Sequence, residues 1–351
     1  MLDFDLNNFQ KCLNSKSLKE HQYLRLIKSI HNNFTVGRDQ IDLYTQNQDM
    51  VSAYTMFYLP TNFPKFHFLM DQLPPDDLQQ ISNSFFIDFG TGPGTYLLSF
   101  LDYFKKSKND FLGALGIDRS SQMLEQSRSC LRHFYPELEK KIELSDKIIL
   151  DKKQKITLCF GNCLNEIGVS KALGIVEKVK PDFIIFLSIG TKDSFEKILK
   201  FRKESYSHGF SSSYPCFNIN NSCPLENTTD WCHQVLKTIH HPTIERLSQK
   251  LKMDRRTLPL IAHIYKKEKK AIEREGSARL IRILSETKFS FVLEVCIEES
   301  NLLKHLKFEL MKKDLSKDVI KKFRKTNLGI NIKYVLVKKI NENLWRVKLI
   351  I

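Results

Sequence analysis

No run of 18 or more apolar residues occurs in the chain, so no stretch of it is built to cross a membrane as a helix. The first ten residues, MLDFDLNNFQ, hold two acids and no lysine or arginine. They match neither a signal peptide nor an arginine-rich transit peptide. No Cys-x-x-Cys pair is present, and a zinc ribbon normally needs two. Also missing are an Asn-Pro-Pro-Tyr motif of the kind used to methylate base amines and a cysteine placed like a pyrimidine methylase nucleophile. No catalytic residue can therefore be named. Internal repeats and long low-complexity tracts are absent too, which excludes a solenoid and a disordered scaffold.

What is present is an ordinary globular composition, 42% apolar and 27% charged over 351 residues, enough chain for two domains. The net charge of +15 is unevenly placed. Residues 1–247 carry 29 Lys plus Arg against 28 Asp plus Glu, and residues 248–351 carry 26 against 12. A basic last third points to a polyanion, with nucleic acid favoured over a membrane surface.

Residues 1–75 read as a helical region. Ser17 and Glu20 have the spacing of a capping box, with Leu18, Tyr23, Leu24, Ile27, Ile30 and Phe34 following at helical intervals. Strands and helices then alternate over 76–210. FFIDFG (85–90), FLGALGID (111–118), ITLCFGN (156–162) and DFIIFLSIGT (182–191) are strand candidates, separated by helical segments. This spacing predicts an α/β fold with a doubly wound, Rossmann-like parallel sheet. Residues 211–351 form a third region, with a cysteine-bearing loop and a basic helical stretch at 243–282. Strands are expected at 289–296 and 305–313, with a closing hairpin over 334–351. Segment 289–351 would make a small sheet or an OB-like unit that grips RNA.

DFGTGPGT (88–95) lies where the first strand meets a helix. Gly90, Gly92 and Gly94 permit a sharp turn whose amides face a ligand, and the helix behind it presents free N–H groups. Asp118 ends the next strand, where a carboxylate can accept both ribose hydroxyls of a nucleoside. The D-x-G-x-G-x-G order, with Asp88 on the strand, favours S-adenosylmethionine over NAD.

The cysteines are 12, 130, 159, 163, 216, 223, 232 and 296. Without an export signal they are expected to stay reduced, and clustered thiols then read as metal ligands. Cys159 and Cys163 sit in or beside an apolar strand and read as core. Cys216, Cys223, Cys232 and Cys296 are separated by six, eight and 63 residues. Four thiolates suit a tetrahedral zinc ion or a four-iron cubane, and these gaps suit a bulkier cluster bridging two segments. His233 and His241 are possible substitutes for one cysteine.

At these residues the chain resembles the methyltransferase-like proteins of the small ribosomal subunit. These are the Rsm-twenty-two type, called methyltransferase-like protein seventeen in animal mitochondria. The likeness runs from about residue 50 to 330. It is carried by SAYTMFYLPTNF, IDFGTGPGT, GIDRSSQML, CLNEIG, PCFNINNSCPL with DWCH, and the ARLI…FSFVLEVC segment. The resemblance implies that Cys216, Cys223, Cys232 and Cys296 bind a 4Fe-4S cluster. It also implies a role in assembly of the small subunit, or in translation, through contact with rRNA and ribosomal proteins. The chain is expected to be one copy when off the ribosome. Family members keep the methyltransferase fold, with uncertain activity. The sequence departs from the family pattern at SIGTK (188–192), where Ser188 replaces an acid, and at Asn218, which replaces a histidine. It also departs at LPLIAHIYK (258–266), which replaces an acidic stretch. The expected compartment is the bacterial cytoplasm, with the mitochondrial matrix as the alternative.

Overall fold

The structure is a computed structural model that describes residues 2, 4–35, 45–149, 154–216, 222–268, 276–300 and 302–350. The chain divides into two compact units. The first holds residues 1–163, 178–184 and 238–257, and the second holds residues 164–177, 185–237 and 258–351.

The first unit is built on four parallel strands, β1 (Phe85–Phe89), β2 (Ala114–Ile117), β3 (Ile142–Ser145) and β4 (Ile156–Gly161), in the order β3-β2-β1-β4. β2 and β4 are buried along their whole length. That is why they read as continuous apolar runs instead of alternating ones. Helices Thr95–Tyr103 and Ser121–Phe134 make the crossovers between strands. This is the doubly wound α/β arrangement of a Rossmann-like methyltransferase sheet. The short β3 has no counterpart in the sequence reading, because four residues carry too little periodicity.

Ahead of the sheet lie helices Glu20–Thr35 and Gln48–Met70. The first is started by Gln22, whose Oε1 accepts the Lys19 amide at 2.8 Å, two residues further along than the Ser17–Glu20 spacing suggests. The second begins at Asn47, whose side chain accepts the Met50 amide.

The second unit contains β5 (Phe183–Ile189) from residue 185 on, β6 (Ser211–Tyr214), β7 (Gln234–Lys237) and β8 (Thr257–Lys266) from residue 258 on. β8 lies between β5 and β6, runs antiparallel to β6, and also pairs with β7. The helical stretch expected over 243–282 is therefore corrected. Only Pro242–Leu251 is helical, Thr257–Lys266 is β8, and β9 (Ser277–Glu286) follows, with 269–275 outside the described residues. LPLIAHIY was hard to read because β8 is buried on both faces and so lacks the strand period.

The β-rich C-terminal module, expected as a small sheet or an OB-like unit, closes into a five-stranded barrel. Its strands are β9, β10 (Ser290–Glu299), β11 (Leu302–Met311), β12 (Asn331–Asn341) and β13 (Leu344–Ile350). Around the barrel the order is β9-β10-β11-β13-β12, and β12 returns to β9 at Asn331–Lys333. All neighbours are antiparallel except β11 and β13, and helix Lys317–Arg324 lies between the third and fourth strands. This is the connectivity of an OB fold. Alternation selects its interior: Phe291, Leu293, Val295 and Ile297 of β10 meet Leu306, Phe308 and Leu310 of β11, with Trp345 and Phe323 packed among them.

Phe308 sits wholly inside this core. Phe308→Ala is expected to cost about 3–5 kcal/mol in chemical denaturation, the usual range for emptying a phenylalanine site.

Candidate cofactor turn and cysteine cavity

In the first unit, β1 runs into the turn Gly90–Gly94. The three glycines have φ of +73°, +53° and +85°, in the left-handed region that side chains avoid. A Cβ on Gly90 would stand 2.8 Å from Cys163 Cβ, and one on Gly94 would stand 2.6 Å from Ser127 Oγ. Both positions are thus closed by conformation and by packing. Gly92 faces open space, with nothing within 4 Å of a Cβ there.

Asp88 and Asp118 hold this turn from two sides. Asp88 is fully buried, and Thr91 Oγ1 donates to its Oδ2 at 2.8 Å. Burial pushes its carboxyl up to about 7, against the pull of the Thr91 bond. Asp118 accepts the Gly92 amide on Oδ2 and the Ser120 amide on Oδ1, both at 2.9 Å. Its carboxyl also lies above the usual range because of burial, although both amides oppose the shift. Of the five residues singled out for a nucleoside cofactor, Gly92 and Asp118 meet at one point, while Asp88 acts on the turn from beneath. Sequence reading missed Tyr96, whose ring fills the space above Gly161 and whose hydroxyl accepts Asn162 Nδ2 at 3.0 Å. Cys159 and Cys163 are buried, and the Cys163 thiol donates to the Phe89 carbonyl at 3.1 Å.

In the second unit, Ser188 is buried near the end of β5. Its hydroxyl donates to Ser194 Oγ at 3.3 Å, and Thr191 caps the helix Lys192–Ser207. Asn218 lies outside the described residues.

The four cysteines come together in the same unit. Cys216 follows β6, Cys223 and Cys232 sit in the connection to β7, and Cys296 points outward from barrel strand β10. All four line one cavity with His263, Arg279 and His305. On the barrel face, Cys296 lies directly between Arg279 of β9 and His305 of β11. Burial pushes the Cys223 thiol up to about 12, with the neighbouring Cys216 and Cys232 adding to the shift. Burial raises Cys232 and Cys296 as well, with the other thiols of the cavity contributing. Arg202 hydrogen-bonds Cys216. His263 is held below the usual histidine range by burial, and its Nδ1 lies 3.0 Å from the Tyr265 hydroxyl. His233 and His241 do not line the cavity, and His241 instead caps the helix Pro242–Leu251 in the first unit. Among the described residues no three His, Cys, Asp or Glu side chains are grouped to hold a metal ion. A metal centre therefore remains an inference from the donor set. Arg202 and Arg279 carried no signal in the sequence beyond being basic residues in basic surroundings.

A Rossmann-like sheet with a glycine turn and a paired acid, followed by an OB-type barrel, defines a methyltransferase-like α/β protein. The family described as mitochondrial small ribosomal subunit Rsm22 matches residues 48–329, and the chain belongs to that family. It is thus a ribosome-related, methyltransferase-like protein. No curated protein matches the chain. Among solved structures it is similar to magnesium protoporphyrin IX methyltransferase of Synechocystis PCC 6803, solved with bound SAM. The identity is 10%, with 73% of this chain and 100% of that one covered at a TM-score of 0.37. A cyclopropane-fatty-acyl-phospholipid synthase-like protein of Lactobacillus casei ATCC 334 is 9% identical, with 65% and 99% covered and a TM-score of 0.32. Both are distant, and the fold rests on the strand order itself.

The folded chain keeps on Asp88 a proton that the unfolded chain releases in the ordinary carboxylate range. Stability linked to this group is full below that range, falls as the pH climbs to about 7, and is level above. Wild type is expected to lose stability relative to Asp88→Asn as the pH is raised through this window, read from urea denaturation of both proteins.

Proposed function

We propose that this protein is an rRNA-binding assembly or translation factor of the mitochondrial small ribosomal subunit, acting in the matrix and carrying a 4Fe-4S cluster. The family's description supports the subunit and the compartment, in place of the bacterial cytoplasm expected from sequence. The observation that carries the cluster is the meeting of Cys216, Cys223, Cys232 and Cys296 around one cavity that also holds a buried guanidinium. Four thiolates beside cationic groups fit an anionic iron–sulfur cluster. A single zinc ion fits less well, because it needs its ligands gathered tightly about one point. When bound, the cluster supplies iron–sulfur bonds that tie the 216–232 loop to barrel strand β10.

RNA contact is assigned to the barrel. Its β9-β10-β11 face presents Arg279, Cys296 and His305 to the cavity, so the customary OB ligand face is already used. Exposed Lys317, Lys321, Lys322 and Lys325 around the barrel helix, with Lys333, Lys338 and Lys348 on the closing hairpin, provide the phosphate contacts instead.

Iron and acid-labile sulfide on anaerobically purified protein test this reading. About four of each per chain, with a brown visible spectrum, is the expected result. One zinc and no sulfide would overturn it. Cys223→Ser is expected to lose iron and lower the melting temperature of the protein, because ligand loss removes folding energy.

A second reading, an active S-adenosylmethionine-dependent rRNA methyltransferase, is favoured by the open approach to Gly92 beside Asp118. Cofactor binding through Asp118 is common to both readings. Asp118→Ala is expected to abolish S-adenosylmethionine binding in calorimetry. Normal subunit assembly in cells carrying that variant would leave the factor and remove the enzyme.

A further inference from the structure

Two buried guanidinium groups meet the cysteines, Arg279 lining the cavity from barrel strand β9 and Arg202 at Cys216 from helix Lys192–Ser207. Both are sealed from water, at 1% and 3% exposure. A guanidinium does not release its proton in a protein, so its burial has to be met by an opposite charge or by full hydrogen bonding. Arg202 bonds Cys216. Arg279 has no such answer: its Nε and Nη2 find no hydrogen-bond partner. Its guanidinium lies 5.7 Å from the centre of the Tyr214 ring, and Tyr214 is itself fixed by donating to the Gly329 carbonyl at 2.8 Å. Tyr214 thus flanks the guanidinium with its ring face, and Cys296 stands beside Arg279 on the neighbouring strand. The nearby carboxylate, Glu294, is already engaged by Arg282 and His305. The groups that favour the charge of Arg279 are Cys232, Tyr214, Cys216 and Cys296. Neutral thiols are weak acceptors and do not balance a cation.

We propose that Arg279 is a positioning residue for the cluster: its unpaired N–H groups donate to the cluster's sulfur atoms, and its charge offsets the negative charge of the four-thiolate assembly. This rests on the reading that the four cysteines hold an iron–sulfur cluster. Hydrogen bonds to the sulfurs and net local charge are among the protein's means of setting a cluster's potential, and such supporting groups govern metal retention. Reduction adds an electron to the cluster, so a nearby cation favours the reduced form more than the oxidised one.

The test uses the full chain, purified anaerobically as wild type, Arg279→Met and Arg279→Lys. Three quantities are read: iron and sulfide per chain, the rate of cluster loss to a chelator, and the midpoint potential by EPR-monitored titration. Arg279→Met is expected to lose its cluster about tenfold faster. Its reduction equilibrium should fall about tenfold, which for a one-electron couple is about 59 mV towards more negative potential. Arg279→Lys, which keeps the charge and loses the planar fork, is expected to fall between the two. Failure of Arg279→Met to load any cluster, with Arg279→Lys loading, also supports the proposal. Wild-type potential and loss rate in both loaded variants would overturn it. Wild type without iron and sulfide would overturn the cluster reading itself, which is a distinguishable result.

Discussion

Arg279 carries a buried positive charge into the cysteine cavity and Arg202 carries a second one to Cys216, and a charge taken out of water has to be answered nearby. The second unit is organised around that requirement. β6 delivers Cys216, the loop before β7 delivers Cys223 and Cys232, and the outward face of β10 delivers Cys296 beside Arg279. Around this centre the remaining charges are paired among themselves, with Glu294 shared between Arg282 and His305, and Arg282 also reaching Asp230. The lysines of the barrel helix and of the closing hairpin stay exposed to solvent.

The first unit solves a different problem with the same economy of charge. A parallel strand must turn sharply into a helix, and three positive-φ glycines make the turn. The acids on either side fix it: Asp88 through Thr91 beneath, Asp118 through the Gly92 and Ser120 amides above. Two glycines are also demanded by neighbours, Cys163 and Ser127, that a side chain would strike. Only at Gly92 does the turn open outward. The residue pattern of a cofactor site thus serves the turn's own geometry first, and a ligand has one corner of it to approach.

Several parts were readable in the chain alone because the physics behind them is local. Parallel strands buried on both faces leave largely apolar runs, as in FFIDF and ITLCFG, and a positive-φ turn leaves glycines. The hairpin β12–β13 was marked by Asn341-Glu342-Asn343 between two apolar strands, and the four cysteines stood out as a reduced, clustered set. Other parts were hidden by the same physics. β3 is too short to carry a period. β8 is buried on both faces, so its apolar run looks helical from a distance. Ser17 and Glu20 have capping spacing, yet Gln22 on the Lys19 amide captured the helix start.

The sequence by itself determined the turn, the parallel strands, the thiol set and the excess of positive charge in the last third, since each is written in residue type and spacing. Tertiary structure alone decided that β9 joins the four later strands to close the barrel, and that the cysteine on its outer face meets three others 64 or more positions away along the chain. It also decided which two arginines are buried with them. Ring closure and charge burial depend on which faces meet in space, and residue order along one strand does not encode its neighbour on the next.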